Sequence, residues 1–363
     1  MVIADEAFHG SDLENIAARY DINVQNIVPF ASNVNPLGIS PMARQALIDN
    51  IDAIKTYPDR NYVSLKNAIS KYCKTEPDKL ILGNGTSELI SLTLKTIRPA
   101  KTIVIGPTYS EYGRSAVAAG SEIECYMLKN LDDFELDVET FLKTLQSNID
   151  LLIICNPNNP TGKAVGMEDM EQIVKQCAKL HITVMVDETY VEFVKDVNQV
   201  SSVSLTENYD NLIVLRGVSK FFASPGLRLG YAVTSNSAFL EAANNDKIPW
   251  NINSYASVAG VMFEDEHYIN LTKSLIQTER NLIYSALSPR KTIKVFKPDA
   301  NFILIKLLKE NLTADQVFEH CIKKGLMIRD CTDYEGLGNK YIRFCFMRPE
   351  QNDDVVNTIL EIV

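Results

Sequence analysis

Short apolar runs alternate with amphipathic segments through the middle of the chain. The runs end in Gly, Asn, Asp or Ser, which is typical of buried strands that lead into turns. Apolar residues at helical spacing over 86–97, near 110–119 and over about 168–180 predict helices between the runs. The predicted strands lie in KLILGNG (79–85), KTIVIG (101–106), EIECYML (122–128), IDLLIIC (149–155), ITVMVDETY (182–190), NLIVLRGVSK (211–220) and LRLGYAVTS (227–235). This alternation predicts an α/β domain with a mostly parallel sheet flanked by helices.

The pattern changes after about residue 250. A long helical stretch (255–286) precedes shorter strands and helices, among them a strand over 326–331, which predicts a smaller α+β domain. At the other end, a helix over 11–20 and the extended segment PFASNVNPLG (29–38) form an arm that we expect to join this domain. The predicted division is an N-terminal arm at 1–45, a large domain at 46–250, and a small domain with its long connecting helix at 251–363.

Composition narrows the classes of function. The chain has 363 residues, a net charge of −10 and a pI of about 5.1, so we expect no nucleic-acid partner. No apolar run approaches the roughly 18 residues of a membrane span, and no basic segment opens the chain, so we expect neither a membrane partner nor a signal peptide. Seven scattered cysteines and only four histidines predict reduced thiols, a cytoplasmic location and no metal site.

Polar clusters follow several of the predicted strands, at the sheet edge where ligands of such folds bind. Gly85-Thr86-Ser87 lies at a strand-to-helix junction, where free backbone N–H groups bind anions; a plain turn explains the same residues. Asp187 ends an apolar strand and needs a partner when buried. Either a salt bridge or a cationic ring nitrogen would serve.

A lysine and an arginine follow the next strand. Burial lowers the pKa of a lysine, which would make Lys220 a Schiff-base nucleophile, although the strand position alone favours a lysine that reaches solvent. Arg228, in SPGLRLGY, suits a bidentate pair with a phosphate or with a surface acid. Together, an anion loop, a buried carboxylate, a lysine and an arginine describe a site for pyridoxal 5′-phosphate (PLP), whose ring the protein orients and tunes.

The chain resembles fold-type-I PLP-dependent enzymes of the class I/II aminotransferase superfamily, nearly from end to end. The resemblance lies in NPNNPTG (156–162), DETY (187–190), SKFFASPGLRLGY (219–231) and YIRF (341–344). It implies that Lys220 is the catalytic residue that forms a Schiff base with the cofactor, and that Asp187 pairs with the ring nitrogen. The other cofactor contacts that it implies are Tyr109 against the ring, Asn159 and Tyr190 at its 3′-oxygen, and Gly85, Thr86, Ser87, Ser219 and Arg228 at the phosphate.

The same resemblance implies a homodimer, because Tyr57 in YPDRNY (57–62) would reach the phosphate site of the partner subunit. One position departs from the family. A hydroxyl often stands three residues before the lysine, and here that position is Gly217. A phosphate contact is therefore expected to be missing or replaced by water.

Within the superfamily, the chain is most similar to threonine-phosphate decarboxylases and histidinol-phosphate aminotransferases. Both share N-x-N-P-L-G (33–38) and YPD (57–59) with it, whereas His9-Gly10, PWNIN (249–253) and IRDCTDYEGLGNKYIRF (328–344) look more like the decarboxylases. By this resemblance Arg343 binds a substrate carboxylate, and Arg329, His9 and Asn33 bind a substrate phosphate. For Arg329 the alternative is an ion pair with Asp330 or Asp333, and for His9 it is an exposed side chain.

The resulting hypothesis is PLP-dependent decarboxylation of O-phospho-L-threonine, or of O-phosphoserine, to an amino-alcohol phosphate for cobalamin biosynthesis. The alternative is a histidinol-phosphate:2-oxoglutarate aminotransferase of histidine biosynthesis, in which Arg343 would bind glutamate. The two reactions differ in which bond of the α-carbon stands perpendicular to the cofactor ring, an angle that the sequence does not show. A non-catalytic ligand-binding protein of the same fold is a remote alternative, since Lys220 and Asp187 are both present.

Overall fold

The computed structural model describes residues 12–363, so the predicted site residue His9 lies outside the described part of the chain. The helices within it are α1 (Leu13–Tyr20), α2 (Pro41–Asp49), α3 (Val63–Cys73), α4 (Thr86–Ile97), α5 (Ser110–Ala118), α6 (Val138–Leu142), α7 (Met167–Lys179), α8 (Ser237–Asp246), α9 (Ser254–Val258), α10 (Glu266–Leu287), α11 (Ala314–Ile322) and α12 (Pro349–Leu360). The strands are β1 (Leu80–Gly83), β2 (Lys101–Gly106), β3 (Glu122–Met127), β4 (Leu151–Cys155), β5 (Thr183–Asp187), β6 (Leu212–Gly217), β7 (Gly230–Val233), β8 (Ile293–Phe296), β9 (Phe302–Leu307), β10 (Arg329–Asp330) and β11 (Tyr341–Cys345).

Strands β1 to β7 form one sheet in the order β1-β7-β6-β5-β4-β2-β3. The pairs among β2 to β6 are parallel, and β7 is antiparallel to both of its neighbours. Alternate residues of β4 pack into two different cores, Leu152 and Ile154 with α7 on one face, and Leu151 and Ile153 with α4 on the other. Because the sheet is buried on both faces, its strands appear in the sequence as continuous apolar runs. The predicted α/β fold with a mostly parallel sheet is confirmed.

Strands β8 to β11 form a second, antiparallel sheet in the order β10-β11-β9-β8. The segment before α2 joins this sheet: Val28 forms a parallel bridge with Leu326, and the Cys345 N–H donates to the Phe30 carbonyl at 2.9 Å. These contacts attach residues 28–30 to the second sheet, and the arm at 1–45 and the small domain at 251–363 remain predicted divisions. The boundaries themselves stay predictions.

Two predicted elements of the small domain are shorter than expected. The helical stretch 255–286 is broken into α9, a 3₁₀ turn and α10, because the Asp265 side chain accepts from the Tyr268 N–H at 3.1 Å and starts a new helix there. The strand predicted over 326–331 is reduced to β10. Its first residues pair with the N-terminal segment instead, where the Met327 N–H donates to the Val28 carbonyl at 3.0 Å.

All seven cysteines are free thiols. Across the described residues, no group of three or more His, Cys, Asp or Glu side chains is arranged to hold a metal ion. Nor does any helix between residues 12 and 363 combine the length and the apolar character needed to cross a membrane. Polar side chains that follow the parallel strands, among them Asn159, Asp187 and Lys220, lie at the carboxyl edge of the large sheet.

Candidate active site

Three neighbouring strands deliver polar side chains to one edge of the large sheet. Strands β4, β5 and β6 are parallel, and Cys155, Asp187 and Leu215 are aligned across their carboxyl ends. Asp187 ends β5, Asn159 follows β4 and Lys220 follows β6. Since parallel strands end at the same edge, the fold brings together residues that are far apart in the sequence.

Asp187 is buried and is held by hydrogen bonds. Its carboxylate accepts from the Tyr112 hydroxyl at 2.7 Å, and from the Thr189 N–H and hydroxyl at 3.0 and 2.6 Å. Burial raises the pKa of Asp187, and these hydrogen bonds lower it. No basic side chain among residues 12–363 forms an ion pair with it, so the salt-bridge alternative does not apply within that range. A buried carboxylate of this kind is suited to a cation that a ligand brings.

The Lys220 ammonium lies beside positive charge. Its Nζ donates a hydrogen bond to the Ser32 carbonyl at 2.5 Å. Burial, followed by the charges of Arg343 and Arg228, lowers the pKa of Lys220 to about 8. A lysine with this pKa has an appreciable fraction of neutral amine near neutral pH and can act as a nucleophile.

The loop between β1 and α4 has the form of an anion site. Gly85 has a φ of 82°, which favours glycine, and it precedes the free N–H groups of Thr86 and Ser87 at the start of α4. The Arg228 guanidinium lies over this loop, since a Cβ on Gly85 would be 2.5 Å from its Nη2. Strand β7 passes equally close, because a Cβ on Gly230 would be 2.7 Å from the Gly85 carbonyl carbon. The two glycines therefore let an arginine and a helix N-terminus share one small volume.

Gly217 faces the same loop. A Cβ there would lie 3.1 Å from Thr86 Cγ2, so a hydroxyl-bearing side chain would require Thr86 to move. This crowding is a physical reason for glycine at the position where the family often has a hydroxyl. Ser219 is half-buried, and its contact with phosphate stays a prediction.

Tyr109 and Tyr190 are the two tyrosines predicted to contact the cofactor, at the ring face and at the 3′-oxygen respectively. The Tyr190 ring lies edge-on to Phe302 at 5.0 Å between centroids, and its hydroxyl accepts from Asn33 Nδ2 at 3.3 Å. Tyr109 precedes α5 and lies edge-on to Tyr112 at 5.7 Å. Burial raises the pKa of Tyr109 to about 12, and it also raises the pKa of Tyr190. Both phenols therefore stay protonated at neutral pH and can donate hydrogen bonds.

Arg343 in β11 is 3% exposed and binds several acceptors. It donates to Asn159 Oδ1, to the Tyr334 hydroxyl at 3.2 Å and to the Ala31 carbonyl at 2.8 Å. Tyr334 also donates to Asn159 Oδ1 at 3.2 Å, so the amide nitrogen of Asn159 is left for another acceptor. Arg343 Nε and Asn33 Oδ1 are buried without a hydrogen-bond partner among the described residues. Such atoms indicate a place for a polar ligand.

Arg329 lies directly opposite Arg343 in the β10–β11 pair. It forms an ion pair with Asp333 at 2.5 Å, and its guanidinium lies 5.4 Å from the centroid of the Tyr334 ring. The ion pair considered as the alternative for Arg329 is therefore present, with Asp333 rather than with Asp330. A substrate phosphate would compete with Asp333 for the same guanidinium.

Two residues of the site were not predicted from the sequence. Tyr334 contacts both Arg329 and Arg343, and Tyr112 bonds to Asp187. Tyr334 stands in an irregular loop, where no periodicity marks a residue as buried. Tyr112 lies one helical turn beyond Tyr109, and this spacing was the available signal that both face the same side.

Tyr57, predicted to act in a partner subunit, is 78% exposed. Its ring packs against Trp250 with 4.9 Å between the centroids. An exposed position is what a contact with a second subunit requires. Among the described residues, Tyr57 has no hydrogen bond or ring contact with another predicted site residue.

The residues present fit PLP. Asp187 offers a buried carboxylate to a ring nitrogen, and Lys220 offers an amine of lowered pKa to an aldehyde. The start of α4 and Arg228 offer a small, positive volume to a phosphate. The ring nitrogen, the aldehyde and the phosphate thus each have a candidate partner on this sheet edge, and the role of each residue stays a prediction.

Comparison with known proteins gives a consistent result. Residues 25–359 match the family described as aminotransferase class I and II. A threonine-phosphate decarboxylase of Salmonella typhimurium is 29% identical over 98% of this chain and 96% of its own length. A histidinol-phosphate aminotransferase of Methanosphaera stadtmanae is 31% identical over 98% of this chain and 95% of its own. The crystal structure of the histidinol-phosphate aminotransferase from Clostridium acetobutylicum superimposes with a TM-score of 0.86, at 31% identity, over 92% of this chain and 98% of that one.

Proposed function

Because this chain belongs to the class I and II aminotransferase family, and is therefore an enzyme whose cofactor is pyridoxal 5′-phosphate, we propose that it decarboxylates O-phospho-L-threonine or O-phosphoserine. The product is the corresponding amino-alcohol phosphate, for use in cobalamin biosynthesis. The second candidate is a histidinol-phosphate aminotransferase, which the similarity to relatives of that name favours. The two candidates share one cofactor site and differ in what the two arginines bind.

The pairing of Arg329 with Arg343 is the observation that carries the proposal. Residues directly opposite each other in antiparallel strands lie on one face, with Cβ atoms about 4.5–5.5 Å apart. Two positive charges in this position repel each other unless anions neutralise them, and within residues 12–363 Arg329 has Asp333 as its partner whereas Arg343 has no acidic partner. A phosphorylated amino acid carries two anionic groups on one short skeleton, and so supplies one for each arginine.

We assign the substrate carboxylate to Arg343 and the phosphate to Arg329, Asn33 and His9. The unpartnered Nε of Arg343 provides a second donor for a bidentate bond with a carboxylate. Asn33 now donates to Tyr190, and its Oδ1 has no described partner. Phosphate oxygens accept hydrogen bonds. Asn33 would therefore bind one after a 180° rotation of its side-chain amide, which places Nδ2 where Oδ1 now lies.

The reaction uses residues at the carboxyl edge of the sheet. When bound, the cofactor stabilises the negative charge left on the substrate α-carbon after one of its bonds breaks. Asp187 holds the positive charge of the ring nitrogen, and Thr86, Ser87 and Arg228 hold the phosphate. After CO₂ leaves, Lys220 Nζ delivers a proton to the α-carbon.

An aminotransferase would use the same residues differently. Histidinol phosphate carries a phosphate but no carboxylate, so Arg343 would bind the carboxylate of glutamate in the other half of the cycle. Lys220 Nζ would then remove the α-proton of each amine substrate in turn. This candidate predicts that Arg343 matters in one half-reaction only.

The deciding experiment incubates the purified holoenzyme with O-phospho-L-threonine alone, with O-phospho-L-serine alone, and with L-histidinol phosphate plus 2-oxoglutarate. We expect CO₂ and an amino-alcohol phosphate at catalytic turnover in the first two. One methyl group is worth about 1–3 kcal/mol, so we expect the two substrates to differ by no more than about 200-fold in kcat/KM. Glutamate formed in the third incubation, with no CO₂ in the others, would establish the aminotransferase instead.

Tyr334→Phe is expected to lower kcat/KM about tenfold, mostly through a higher KM. The substitution removes the hydroxyl that bonds to Arg343 and Asn159 but keeps the ring beside Arg329, and one hydrogen bond to a charged group contributes about 1.5 kcal/mol. Steady-state kinetics of the holoenzyme measure the effect. Tyr341→Phe, in the neighbouring strand, is the matched control, and equal kinetics for the two variants would show that the Tyr334 hydroxyl has no such role.

We further propose that the enzyme is a homodimer, which forms through the face that carries Tyr57. Ile48, Ile51 and Ile54 are 61%, 62% and 66% exposed on the segment that leads to Tyr57, and Trp250 packs beside it. Apolar side chains exposed in such a row indicate a surface for another protein. A second copy of the chain would bury the row and bring each Tyr57 towards the other subunit's phosphate loop.

Ile54→Asp is expected to convert the dimer into monomers and to weaken cofactor binding, because a buried carboxylate at the interface would have no partner. Sedimentation or light scattering over a concentration series measures the dissociation. Leu282→Asp is the control, since Leu282 is 59% exposed on α10, a helix that packs against α12, β8 and β9. A wild-type protein that is monomeric at micromolar concentration would rule the proposal out.

A further inference from the structure

A buried charged cluster lies beside the active site and has no part in the reaction proposed above. It consists of Arg216 in β6, Glu188 after β5 and Glu192 in the next turn, which are 4%, 0% and 2% exposed. Charged side chains are rarely buried so deeply, and they require partners when they are. We call these three residues the Arg216 cluster.

Within the Arg216 cluster, the arginine is bonded mainly to Glu188. Its Nε and Nη2 lie 2.9 and 2.8 Å from Glu188 Oε2, and Nη2 also donates to Ser201 Oγ at 2.5 Å. The other Glu188 oxygen accepts from the Ser202 N–H at 2.5 Å. Glu192 is held more loosely, with Oε1 at 3.7 Å from Arg216 Nη1 and Oε2 without a partner among the described residues.

The Arg216 cluster lies behind the strand ends that carry the cofactor site. Glu188 directly follows Asp187, and its N–H continues the strand pairing with a bond to the Leu215 carbonyl at 2.8 Å. Successive residues of a strand point to opposite faces, so Glu188 and Arg216 face away from Asp187. The cluster therefore ties the end of β5, which carries Asp187, to the strand that leads to Lys220.

The charges of the cluster are matched only if one glutamate is protonated. Burial raises the pKa of Glu192 to about 7, although the charge of Arg216 opposes this. Arg216 is then left to neutralise Glu188. Burial and, to a smaller extent, the charge of Glu188 raise the pKa of Asp187. The other titratable groups that interact electrostatically with Glu192 are Lys273 on α10, Tyr72 and Cys73 on α3, and Tyr231 on β7.

We propose that Arg216 is a positioning residue for the cofactor, which cancels the charge of Glu188 and thereby keeps the adjacent Asp187 carboxylate ionised for the ring nitrogen. The proton shared by Asp187 and the ring nitrogen goes to whichever group has the higher proton affinity. An unneutralised Glu188 next to Asp187 would raise the proton affinity of Asp187 more than that of the more distant ring. The proton would then move from the ring to Asp187. This role is independent of the substrate proposed above.

The test is NMR of the cofactor ring nitrogen in holoenzyme reconstituted with isotope-labelled PLP, with all variants compared at one fixed pH of about 10, because a buried glutamate without a partner can reach a pKa of roughly 8–9 and must be ionised for the comparison. In Arg216→Met we expect the ratio of protonated to unprotonated ring nitrogen to fall about tenfold, the effect of one pKa unit. In Glu188→Gln we expect the ring to keep its proton. In the double variant we expect a signal within about twofold of wild type, because both charges are gone.

Measuring the unfolding of each variant separates an effect on the ring nitrogen from a general loss of stability. Arg216→Met leaves a buried carboxylate uncompensated and will unfold more readily, whereas the double variant removes both partners. Arg280→Met is the control for loss of a buried arginine, since Arg280 bonds to the Ala300 and Phe193 carbonyls rather than to this cluster. It should lose stability and keep the wild-type ring signal.

Two results would overturn the proposal. One is a folded Arg216→Met variant whose ring nitrogen is protonated as in wild type. The other is a double variant in which the ring has lost its proton, because the effect of Arg216 would then not depend on the charge of Glu188. The second comparison remains decisive if Arg216→Met alone does not fold.

Discussion

Lys220→Ala is expected to lower turnover by about 10³-fold or more and to abolish covalent attachment of the cofactor. The Lys220 amine is the proposed Schiff-base partner and the proposed proton donor, and a positioned acid or base alone contributes about 10²–10⁴-fold. Borohydride treatment followed by mass measurement shows attachment, and product formation shows turnover. Lys101→Ala is the control, because Lys101 lies at the opposite, amino end of β2 and pairs with Glu124. If the cofactor were still covalently bound in Lys220→Ala, another lysine would have to form the Schiff base.

The lowered pKa of Lys220 adds a pH dependence to this prediction. Only the neutral amine attacks the cofactor aldehyde, and burial with nearby arginines brings the pKa of Lys220 to about 8. The rate at which the apoenzyme captures PLP should therefore rise about tenfold per pH unit below that pKa and level off above it. Stopped-flow absorbance measures the capture rate. A rate that continues to rise well above pH 8 would show an amine with an ordinary lysine pKa.

Arg343→Ala is expected to lower kcat/KM by about 10²–10³-fold. The substitution removes the proposed carboxylate partner and leaves Asn159 Oδ1 and the Ala31 carbonyl without their charged donor. Loss of one member of a buried charge pair costs about 2–5 kcal/mol, and the middle of that span, about 3–4 kcal/mol, corresponds to this range. Arg343→Lys should recover only part of the loss, because an ammonium cannot form the bidentate bond.

The same variant separates the two candidate functions. A decarboxylase should lose CO₂ release from O-phospho-L-threonine. An aminotransferase should lose the half-reaction with glutamate but keep the half-reaction with histidinol phosphate, which has no carboxylate. Single-turnover spectra of each half-reaction measure this difference. Arg348 is an exposed arginine shortly after β11, and Arg348→Ala is the control. It should behave as wild type in both half-reactions. If it also lost activity, the loss in Arg343→Ala would be explained by instability rather than by a missing carboxylate contact.

The parts of the proposed cofactor site can be predicted from the sequence because each of them is a local motif. A strand that is buried on both faces shows as an apolar run, and the polar residue at its end is therefore marked as unusual. Asp187 and Lys220 are both of this kind, and parallel strands must end at one edge. The glycine at 85 and the start of α4 follow equally from a short stretch of chain.

The substrate side of the site depends on contacts between distant segments. The register that sets Arg329 opposite Arg343 is determined where β10 pairs with β11, and the loop between these strands then places Tyr334 in contact with both guanidinium groups. Likewise, the stretch 255–286 has one helical periodicity, but Asp265 caps a second helix once the chain turns there. The Arg216 cluster joins a residue of β6 to two glutamates that follow β5. Local periodicity determines which residues are buried, whereas strand register and loop packing determine which charged groups meet, and those interactions exist only once the chain is folded.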